Sequence, residues 1–307
     1  MILTVTLNAA LDVTYRVERL HAGGSTRVRS VAERAGGKGV NVSRVLHGLG
    51  VDTLVTGLAG GTTGRAVRQE LALAGLPDAL VTIGRETRRT VAVVDEQAGE
   101  TSVLLEPGPT VTAGEWHSFT TRFTELLPGA KAVVLSGSLP PGVPVDAYAT
   151  LLRLARAQRV PAVLDTEGEP LLAALPARPA LIKPNADELT ATTGLADPLA
   201  AIAALRTAGA RTVVASLGPE GLLAVTPEGS WRARPPHPVA GNPTGAGDAA
   251  VAALAAGLAT GAPWQPVLAR AVALSAAAVA APLAGSFDEA LYRRLRDQVA
   301  VGPFTKP

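Results

Sequence analysis

The sequence has no cysteine and few aromatic residues. The absence of cysteine excludes disulfides, zinc thiolate sites and cysteine nucleophiles. Aromatic residues make up 3% of the chain, which is too few for a surface on which nucleic-acid bases stack. The four histidines, His21, His47, His117 and His237, are scattered without metal-ligand spacing. Any chemistry must therefore rest on carboxylates, amides, hydroxyls, cations and the backbone.

Runs of one charge and long apolar segments are also missing. Lys and Arg number 28 against 26 Asp and Glu, and no block of like charge supports a nucleic-acid partner. The alanine-rich runs 249–259 and 271–285 are interrupted or shorter than the ~20 apolar residues of a spanning helix. The first residues, MILTVTLNAALD, lack the basic start of a secretion signal. We expect a cytoplasmic protein with no membrane or nucleic-acid partner.

What the chain does contain is a series of short, apolar, β-branched runs separated by helix-like segments. With 307 residues, 47% of them hydrophobic, a large core can form. Strands alternating with helices predict an α/β fold with a mostly parallel sheet covered on both faces. The predicted strands are 2–7, 51–59, 132–138, 161–166, 180–185, 212–218 and 221–227. Polar residues at their ends, where parallel sheets bind ligands, are Asn8, Ser136, Ser138, Asp165, Lys183, Asn185 and Ser216.

Two stretches do not fit this alternation. Residues 12–34 are polar and β-like, and residues 87–106 predict a hairpin that turns near Ala98–Gly99. No linker separates them from the rest, so we expect one domain over 1–307 with a small antiparallel sheet as a lid. Alternation along the hairpin suggests an apolar outer face, and we expect a homodimer through the lid. The alternating residues are Val91, Val93, Val103 and Leu105.

The stretch GNPTGAGDAA, residues 241–250, carries the strongest signal for chemistry. Gly245 and Gly247 allow a tight turn before an alanine-rich helix, whose first N–H groups favour a bound phosphate. Asp248 beside a phosphate is poorly placed for binding alone and is better suited to handling an attacking hydroxyl. The alternative is a glycine-rich loop with an N-terminal Asp as a helix cap.

A second glycine turn, AGGKGVN, occupies residues 35–41. Glycines surround Lys38, so backbone donors and a positive charge predict a cradle for a phosphorylated or polyhydroxylated substrate. Asn41, on the first helical turn, can hydrogen-bond to sugar hydroxyls. The alternative is an ordinary strand-to-helix turn with a solvated lysine.

KPNADELT, residues 183–190, allows two interpretations. Asn185 and Glu188 would share a helix face and could hold a Mg²⁺ that keeps most of its waters. The same spacing fits a capping box. SLGPEG, residues 216–221, could place a nucleotide against the backbone or be a plain turn.

Together these motifs resemble the phosphofructokinase B branch of the ribokinase-like carbohydrate kinases, from end to end of the chain. AGGKGVN and NPTGAGD look like the two family signatures, KPNADE like its Asn-x-x-Glu element and SLGPEG like its nucleotide-side element. SGSLPPGV at 136–143 and the opening TVTLNAALD are typical of the sugar-phosphate members. The resemblance implies a ribokinase-like three-layer α/β/α fold with a mostly parallel central sheet and a β-sheet lid.

The resemblance also implies a role for each matching residue. Asp248 would be the catalytic base, and the N–H groups of Gly245, Ala246 and Gly247 would form an anion hole. Mg²⁺ would be held by Asn185 and Glu188. The nucleotide site would be lined by Ser216, Gly218, Gly221, Asn185 and Thr244. The sugar would be bound by Asp12, Gly36, Gly37, Asn41 and Ser138, and its phosphate by Lys38, Arg88 and Arg27.

The implied function is ATP- and Mg²⁺-dependent phosphorylation of a ketohexose phosphate to a 1,6-bisphosphate. Fructose 1-phosphate is the first candidate substrate, with tagatose 6-phosphate close behind and fructose 6-phosphate as a further alternative. Two departures leave the sugar open: Asn242-Pro243 is similar to tagatose-6-phosphate kinases, and Arg89 stands where several 1-phosphofructokinases have an apolar residue. A non-catalytic sugar-phosphate or nucleotide sensor predicts decay of the Asp or the glycine turn, and both are intact. The G-x-G-x-x-G of nicotinamide dehydrogenases does not follow the first strand.

Overall fold

The computed structural model describes residues 1–304, which form fourteen strands and ten α-helices. The strands are β1 Ile2–Thr6, β2 Ala10–Val17, β3 Val28–Gly36, β4 Thr53–Gly60, β5 Val81–Ile83, β6 Arg88–Asp95, β7 Glu100–Leu105, β8 Ala132–Ser136, β9 Ala162–Asp165, β10 Leu181–Ile182, β11 Val213–Ser216, β12 Leu222–Thr226, β13 Gly229–Arg234 and β14 Ala300–Pro303. The helices are α1 Lys38–Gly48, α2 Gly61–Leu73, α3 Ala113–Leu126, α4 Ala147–Ala157, α5 Gly168–Ala174, α6 Ala186–Thr193, α7 Pro198–Ala208, α8 Ala246–Thr260, α9 Trp264–Val279 and α10 Glu289–Arg296.

Ten strands form the main sheet, in the order β14-β13-β12-β11-β10-β9-β8-β1-β4-β5. The strands from β11 to β5 are parallel, and β12, β13 and β14 extend the sheet antiparallel. This confirms the predicted α/β class and all seven predicted strands. The sequence did not predict β5, which has three residues, or β13 and β14, which carry Gly, Pro and exposed polar residues.

Helices cover both faces of the main sheet. Helices α3 to α7 pack on one face, where Leu3 and Val5 of β1 belong to the core, and α1, α8, α9 and α10 pack on the other, with Ile2. Residues Asp248–Gly257 of α8 are buried all round, which explains why that helix has no polar face. Among residues 1–304, no helix combines the length and the apolar character that crossing a membrane requires.

The small sheet has the order β3-β2-β6-β7 and combines both predicted insertions. The hairpin of β6 and β7 turns at Gly99, as predicted. Strands β2 and β6 pair in parallel, so the predicted wholly antiparallel arrangement is wrong. The physical reason is that both strands leave the main sheet at the same edge and therefore run outward in the same direction. That residues 1–307 act as one domain with this sheet as a lid stays a prediction.

The predicted single apolar face of the hairpin is also wrong. Leu104 lies directly opposite Val91 across the hairpin, so the two side chains share a face. Val103 and Leu105 are neighbours of Leu104 and point to the other face, away from Val91 and Val93. Apolar residues do alternate within each strand, but the register between the two strands decides which face of the hairpin each side chain occupies.

Gly257 and Gly114 offer a matched test of packing around α8. A Cβ at Gly257 would lie 2.4 Å from Cγ2 of Val267, whereas nothing lies within 4 Å of one at Gly114. Alanine in a helix gains about 1 kcal/mol over glycine, but overpacking costs ~1–3 kcal/mol. We expect Gly257→Ala to lower the free energy of unfolding by up to ~2 kcal/mol and Gly114→Ala not to lower it, measured by denaturant titration. Equal stability of the two variants would contradict this packing.

Candidate active site

A cavity of about 170 Å³ opens at the carboxyl ends of β1, β8 and β9. The turn before α1 and the start of β6 complete its walls. It is lined by Thr6, Asn8, Gly37, Lys38, Arg88, Gly137, Ser138, Thr166 and Glu167. The structure thus brings four of the predicted substrate residues, Gly37, Lys38, Arg88 and Ser138, to one place. This edge of a parallel sheet is where ligands bind in open α/β folds.

Two cations, Lys38 and Arg88, line the cavity, and two buried oxygens in its wall residues have no hydrogen-bond partner among residues 1–304. Nε of Arg88 donates to the carbonyl of Asn8 at 3.2 Å, and the Asn8 amide donates to the Ser138 hydroxyl at 3.1 Å. Thr6 Oγ1 and Asn8 Oδ1 are buried and have no hydrogen-bond partner among residues 1–304. Buried polar atoms are normally paired. These two oxygens are enclosed by the protein, next to Gly39 and Gly108, so the groups available to a ligand are the cations, which favour negative charge.

A buried carboxylate and two lysines lie beside this cavity. Asp165, 3% exposed, accepts a hydrogen bond from Ser136 at 3.1 Å and lies 3.4 Å from Nζ of Lys183 and 3.6 Å from Nζ of Lys38. Burial opposes its ionisation, but Lys183 and Lys38 outweigh burial and hold the pKa of Asp165 below its usual value. The sequence placed Asp165 and Lys183 at strand ends without giving either a role, because their pairing depends on the order of strands in the sheet.

Asp248 lies in the first turn of α8, nearly fully buried. Its Oδ2 accepts a hydrogen bond of 2.8 Å from Nδ2 of Asn41, so the two glycine motifs meet here. Burial, followed by repulsion from the charge of Asp165, raises the pKa of Asp248 to about 7. A carboxylate with such a pKa can gain or lose a proton near neutral pH, which is the property of an acid–base group.

The glycine turn before α8 presents free backbone donors. Gly245 occupies the N-cap position with φ of 86°, and a Cβ there would lie 2.9 Å from Cα of Ala284. Among residues 1–304, the N–H groups of Gly245 and Gly247 form no hydrogen bond, whereas that of Ala246 donates to Pro243 at 3.1 Å. A Cβ at Gly247 would lie 3.4 Å from Nζ of Lys183. Two of the three predicted anion-hole donors are thus available, with an ammonium beside them.

Asn185 and Glu188 form the capping box of α6. The Glu188 N–H donates to Asn185 Oδ1 at 2.7 Å, and the Asn185 N–H donates to Glu188 Oε2 at 2.8 Å. The other carboxylate oxygen, Oε1, lies 4.0 Å from Nζ of Lys38. The box therefore leaves one oxygen of Glu188 directed toward Lys38 and Asp165.

Asp12 and Gly36 meet where the small sheet joins the main body. A Cβ at Gly36 would lie 2.0 Å from a carboxylate oxygen of Asp12, so only glycine fits there. Burial raises the pKa of Asp12, although Arg88 and Arg34 oppose the shift. In the small sheet Ala10 lies opposite Arg88, and Asp12 follows Ala10 by two residues. The side chains of Asp12 and Arg88 therefore point to the same face of the sheet.

Arg27 does not line the cavity. It is exposed and precedes Val28, which pairs with Val17 at the far end of the small sheet. Eight residues of β3 separate Val28 from Gly36, a distance of about 26 Å along an extended strand. A contact between Arg27 and the substrate stays a prediction.

The predicted nucleotide residues lie on turns next to Asn185. Ser216 ends β11 and donates its N–H to Pro184 at 3.0 Å, which joins it to the KPN segment. Gly218 and Gly221 form the following turn, both with positive φ. Thr244 is exposed in the loop before α8 and donates its N–H to Asn242 Oδ1 at 3.0 Å. That these residues hold a nucleotide stays a prediction.

Comparison with known proteins covers nearly the whole chain. Residues 3–290 match the pfkB family carbohydrate kinase model. Tagatose-6-phosphate kinase from Staphylococcus epidermidis is 34% identical over 266 residues, which are 84% of this chain and 85% of that protein. The structure of phosphofructokinase-2 from Escherichia coli in complex with fructose-6-phosphate is 32% identical, with a TM-score of 0.89 over 97% of this chain and 98% of that one. A possible 1-phosphofructokinase from Thermotoga maritima is 27% identical, with a TM-score of 0.88 over 99% and 100%.

The matched residues include both glycine motifs, Asp165, the capping box of α6 and Asp248. The fold and the extent of these matches agree. The chain belongs to the pfkB family of carbohydrate kinases and is a phosphotransferase.

Proposed function

We propose that the protein transfers the γ-phosphoryl group of ATP to a hydroxyl of a ketohexose phosphate and produces a 1,6-bisphosphate. The observation that carries this proposal is the convergence of Lys38 and Arg88 on one cavity beside Asp248. Two cations suit a substrate that already has a phosphate, because guanidinium and ammonium groups bind phosphate by charge-assisted hydrogen bonds. A sugar hydroxyl would pair with the hydroxyl of Ser138, which lines the same cavity.

In this reaction Asp248 accepts the proton of the attacking hydroxyl. The hydroxyl oxygen bonds to the γ-phosphorus, the bond from that phosphorus to the bridging oxygen breaks, and ADP leaves. The N–H groups of Gly245 and Gly247 stabilise charge on the transferring group, and Lys183 adds a positive charge beside them. Phosphoryl transfer depends mainly on positioning and electrostatics, so this turn contributes as much as the base. We further propose that the small sheet acts as the lid of a single domain.

A Mg²⁺ ion fits the residues around Glu188. One carboxylate oxygen of Glu188 takes no part in the capping box, and the hydrogen bonds with Asn185 hold this side chain in place. Nζ of Lys38 lies near both this oxygen and the ionised Asp165. Mg²⁺ is usually held by one or two carboxylates together with waters and substrate phosphates. When bound, it would neutralise charge on the phosphate oxygens. Among residues 1–304, no three His, Cys, Asp or Glu side chains cluster as metal ligands.

Two substrates stand ahead of the others. We place fructose 1-phosphate first: the motifs TVTLNAALD and SGSLPPGV are typical of sugar-phosphate members, and a possible 1-phosphofructokinase matches 99% of this chain. Tagatose 6-phosphate is the second, supported by Asn242-Pro243 and by the 34% identity to a tagatose-6-phosphate kinase. Fructose 6-phosphate, present in the E. coli relative, is a further alternative.

A substrate panel tests the proposed reaction. ADP release is measured with ATP, Mg²⁺ and each of fructose 1-phosphate, fructose 6-phosphate, tagatose 6-phosphate, fructose and tagatose. We expect turnover with at least one phosphorylated ketohexose and a much lower kcat/KM for the free sugars. Equal kcat/KM for free and phosphorylated sugars would contradict the proposal, as would no turnover at all.

Arg88→Ala tests whether the Arg88 guanidinium binds the phosphate that the sugar substrate already carries. A hydrogen bond between charged groups contributes about 1.5–3 kcal/mol, so we expect KM for the sugar phosphate to rise at least ~10-fold, with KM for ATP unchanged. Arg89→Ala is the matched control, because Arg89 is exposed on the opposite face of the small sheet. An unchanged KM in Arg88→Ala would place the substrate phosphate elsewhere.

Asp248→Asn tests the base. The substitution keeps the size and the polar contact with Asn41 but removes proton acceptance, so we expect kcat to fall at least ~10²-fold while ATP binding persists. Asp187→Asn, an exposed acid in the first turn of α6, should leave kcat unchanged. Turnover of the Asp248→Asn variant near that of wild type would remove Asp248 from the mechanism.

The pH profile of the wild-type protein tests the same residue independently. Because the pKa of Asp248 is raised to about 7, the protonated form increases as the pH falls through that value, and it cannot accept a proton. We therefore expect log kcat/KM to rise with unit slope below pH ~7 and to level above it. Asp165→Asn should move the midpoint to lower pH, since Asp165 helps to raise the pKa. A midpoint near that of an exposed aspartate would contradict the assignment.

We propose that the protein is a homodimer through the small sheet. Edge strand β7 exposes Val103, Leu104 and Leu105 by 55–70%, and an exposed apolar edge strand is a ready surface for pairing. We expect light scattering to give twice the 31.1 kDa chain mass, and Leu105→Lys to shift it toward the monomer. Leu73→Lys on α2 is the control, since Leu73 is 82% exposed outside this sheet. A monomer mass at assay concentration would refute the dimer.

A further inference from the structure

A second cavity, of about 850 Å³, opens at the end of the main sheet opposite Asp248. It lies where β9, β10 and β11 begin, between the ends of α4 and α7. Its polar lining is dominated by five arginines, of which Arg206 is partly buried and the other four are exposed, and none of the acidic residues among 1–304 lines it. The lining residues are Leu152, Arg156, Arg159, Val160, Pro161, Ala162, Arg178, Ala180, Arg206, Thr207, Gly209, Ala210, Arg211 and Pro227. We call this cavity the arginine cleft.

The fold brings the five arginines together from three connections. The Ala180 N–H donates to Ala162 at 3.1 Å, and the Arg211 N–H donates to Pro179 at 3.1 Å. The segments that carry Arg159, Arg178 and Arg211 therefore enter three adjacent strands, which lie about 4.8 Å apart. The cluster is a consequence of strand order and cannot be read from the spacing in the sequence.

These arginines lack partners within the chain. Among residues 1–304, none of the five makes a side-chain hydrogen bond or an ion pair, and Nε of Arg206 is buried without a partner. By contrast, Arg44 pairs with Glu70 and Arg68 with Asp78. Arg156 and Arg206 lie in the last turns of α4 and α7, where a cation complements the helix dipole. That explanation does not cover the other three.

Two of the arginines occupy backbone positions that favour glycine. Arg159 and Arg178, with φ of 59° and 61°, are the only non-glycine residues among 1–304 with positive φ. Helices α1, α2, α4 and α7 end in the same turn, in which an N–H donates to the carbonyl five residues back. The residue with positive φ in this turn is Gly50 after α1, Gly75 after α2 and Gly209 after α7. After α4 it is Arg159. An arginine thus stands at two cleft positions whose backbone favours glycine, which points to a function of these residues.

We propose that the arginine cleft binds a small organic molecule that carries two or more phosphate groups. Guanidinium forks match phosphate oxygens, and five of them exceed what a single phosphate needs. The volume is that of a small-molecule pocket. The remaining lining is aliphatic, from Leu152, Val160 and Pro161 among others, with no aromatic ring on which a nucleotide base would stack. A bisphosphorylated sugar has this chemistry.

This site is separate from the proposed reaction. Strands β9 and β11 start at the cleft and end at Asp165 and Ser216, about 10 Å away along a strand of four residues. None of the five arginines lines the cavity of Lys38 and Arg88. The binding proposed here does not depend on which sugar is phosphorylated.

The test is calorimetric titration with inorganic triphosphate, which carries the phosphates without a base or sugar. The double variant Arg159→Gly/Arg178→Gly removes two guanidiniums and relieves the backbone, so its thermal midpoint should not fall. We expect the wild-type protein to show a cleft-binding event whose Kd rises at least ~100-fold in the double variant, about tenfold for each charged hydrogen bond. The kcat/KM of the kinase reaction should stay within about twofold, which separates this event from binding at the active site.

Arg211→Ala and Arg153→Ala complete the design. Arg211 lines the cleft outside the helices, so its removal should weaken binding at least ~10-fold even if the double variant fails to fold. Arg153 is exposed on α4 and does not line the cleft, so its removal should leave Kd unchanged. Equal losses in Arg153→Ala and Arg211→Ala would mean diffuse surface charge and overturn the proposal. Unchanged binding in the double variant would overturn it, as would tighter binding of a DNA duplex than of triphosphate.

Discussion

The ion pairs between the buried Asp165 carboxylate and two lysines connect the parts of the site. Lys38 belongs to the first glycine motif, Lys183 precedes the capping box of α6, and Asp165 ends β9. One negative charge thus holds two positive charges, one in the cavity and the other beside the glycine turn before α8. The same charge repels Asp248 and helps to keep its pKa near neutrality. The positions of the two lysines and the pKa of Asp248 therefore both depend on the Asp165 carboxylate. Because Asp165 is little exposed, each of these interactions is stronger than it would be in water.

Much of the fold and of the site was predictable, because the deciding signals are local. The alternation of apolar runs with helix-like segments indicates the α/β class. The glycine turns around Lys38 and before Asp248 indicate where two helices begin. Even the ambiguity at Asn185 and Glu188 was a property of the sequence, since the same spacing serves a capping box and a carboxylate directed at a cation.

What could not be predicted depends on which strands become neighbours. The parallel pairing of β2 with β6 arises because both strands start from one edge of the main sheet. The faces of Val91 and Val103 follow from hairpin register, and a shift of one residue would exchange them. Asp165 meets Lys183 because β9 and β10 are adjacent. The same adjacency gathers arginines that are far apart in the chain into one cleft.

The buried alanines of α8 have a consequence for how this protein can change. Because most residues of this buried stretch are alanine or glycine, the helix packs closely against α1, α9 and the sheet, so larger residues at these positions would overpack the core. Asp248, the proposed base, therefore lies at the start of a helix that has little freedom to move. The opposite wall, with Arg88 and Asp12 on the small sheet, is only partly buried and so leaves more room for larger or smaller side chains. New sugar specificities in such a protein would therefore arise on the small sheet, while the chemistry on α8 is inherited unchanged.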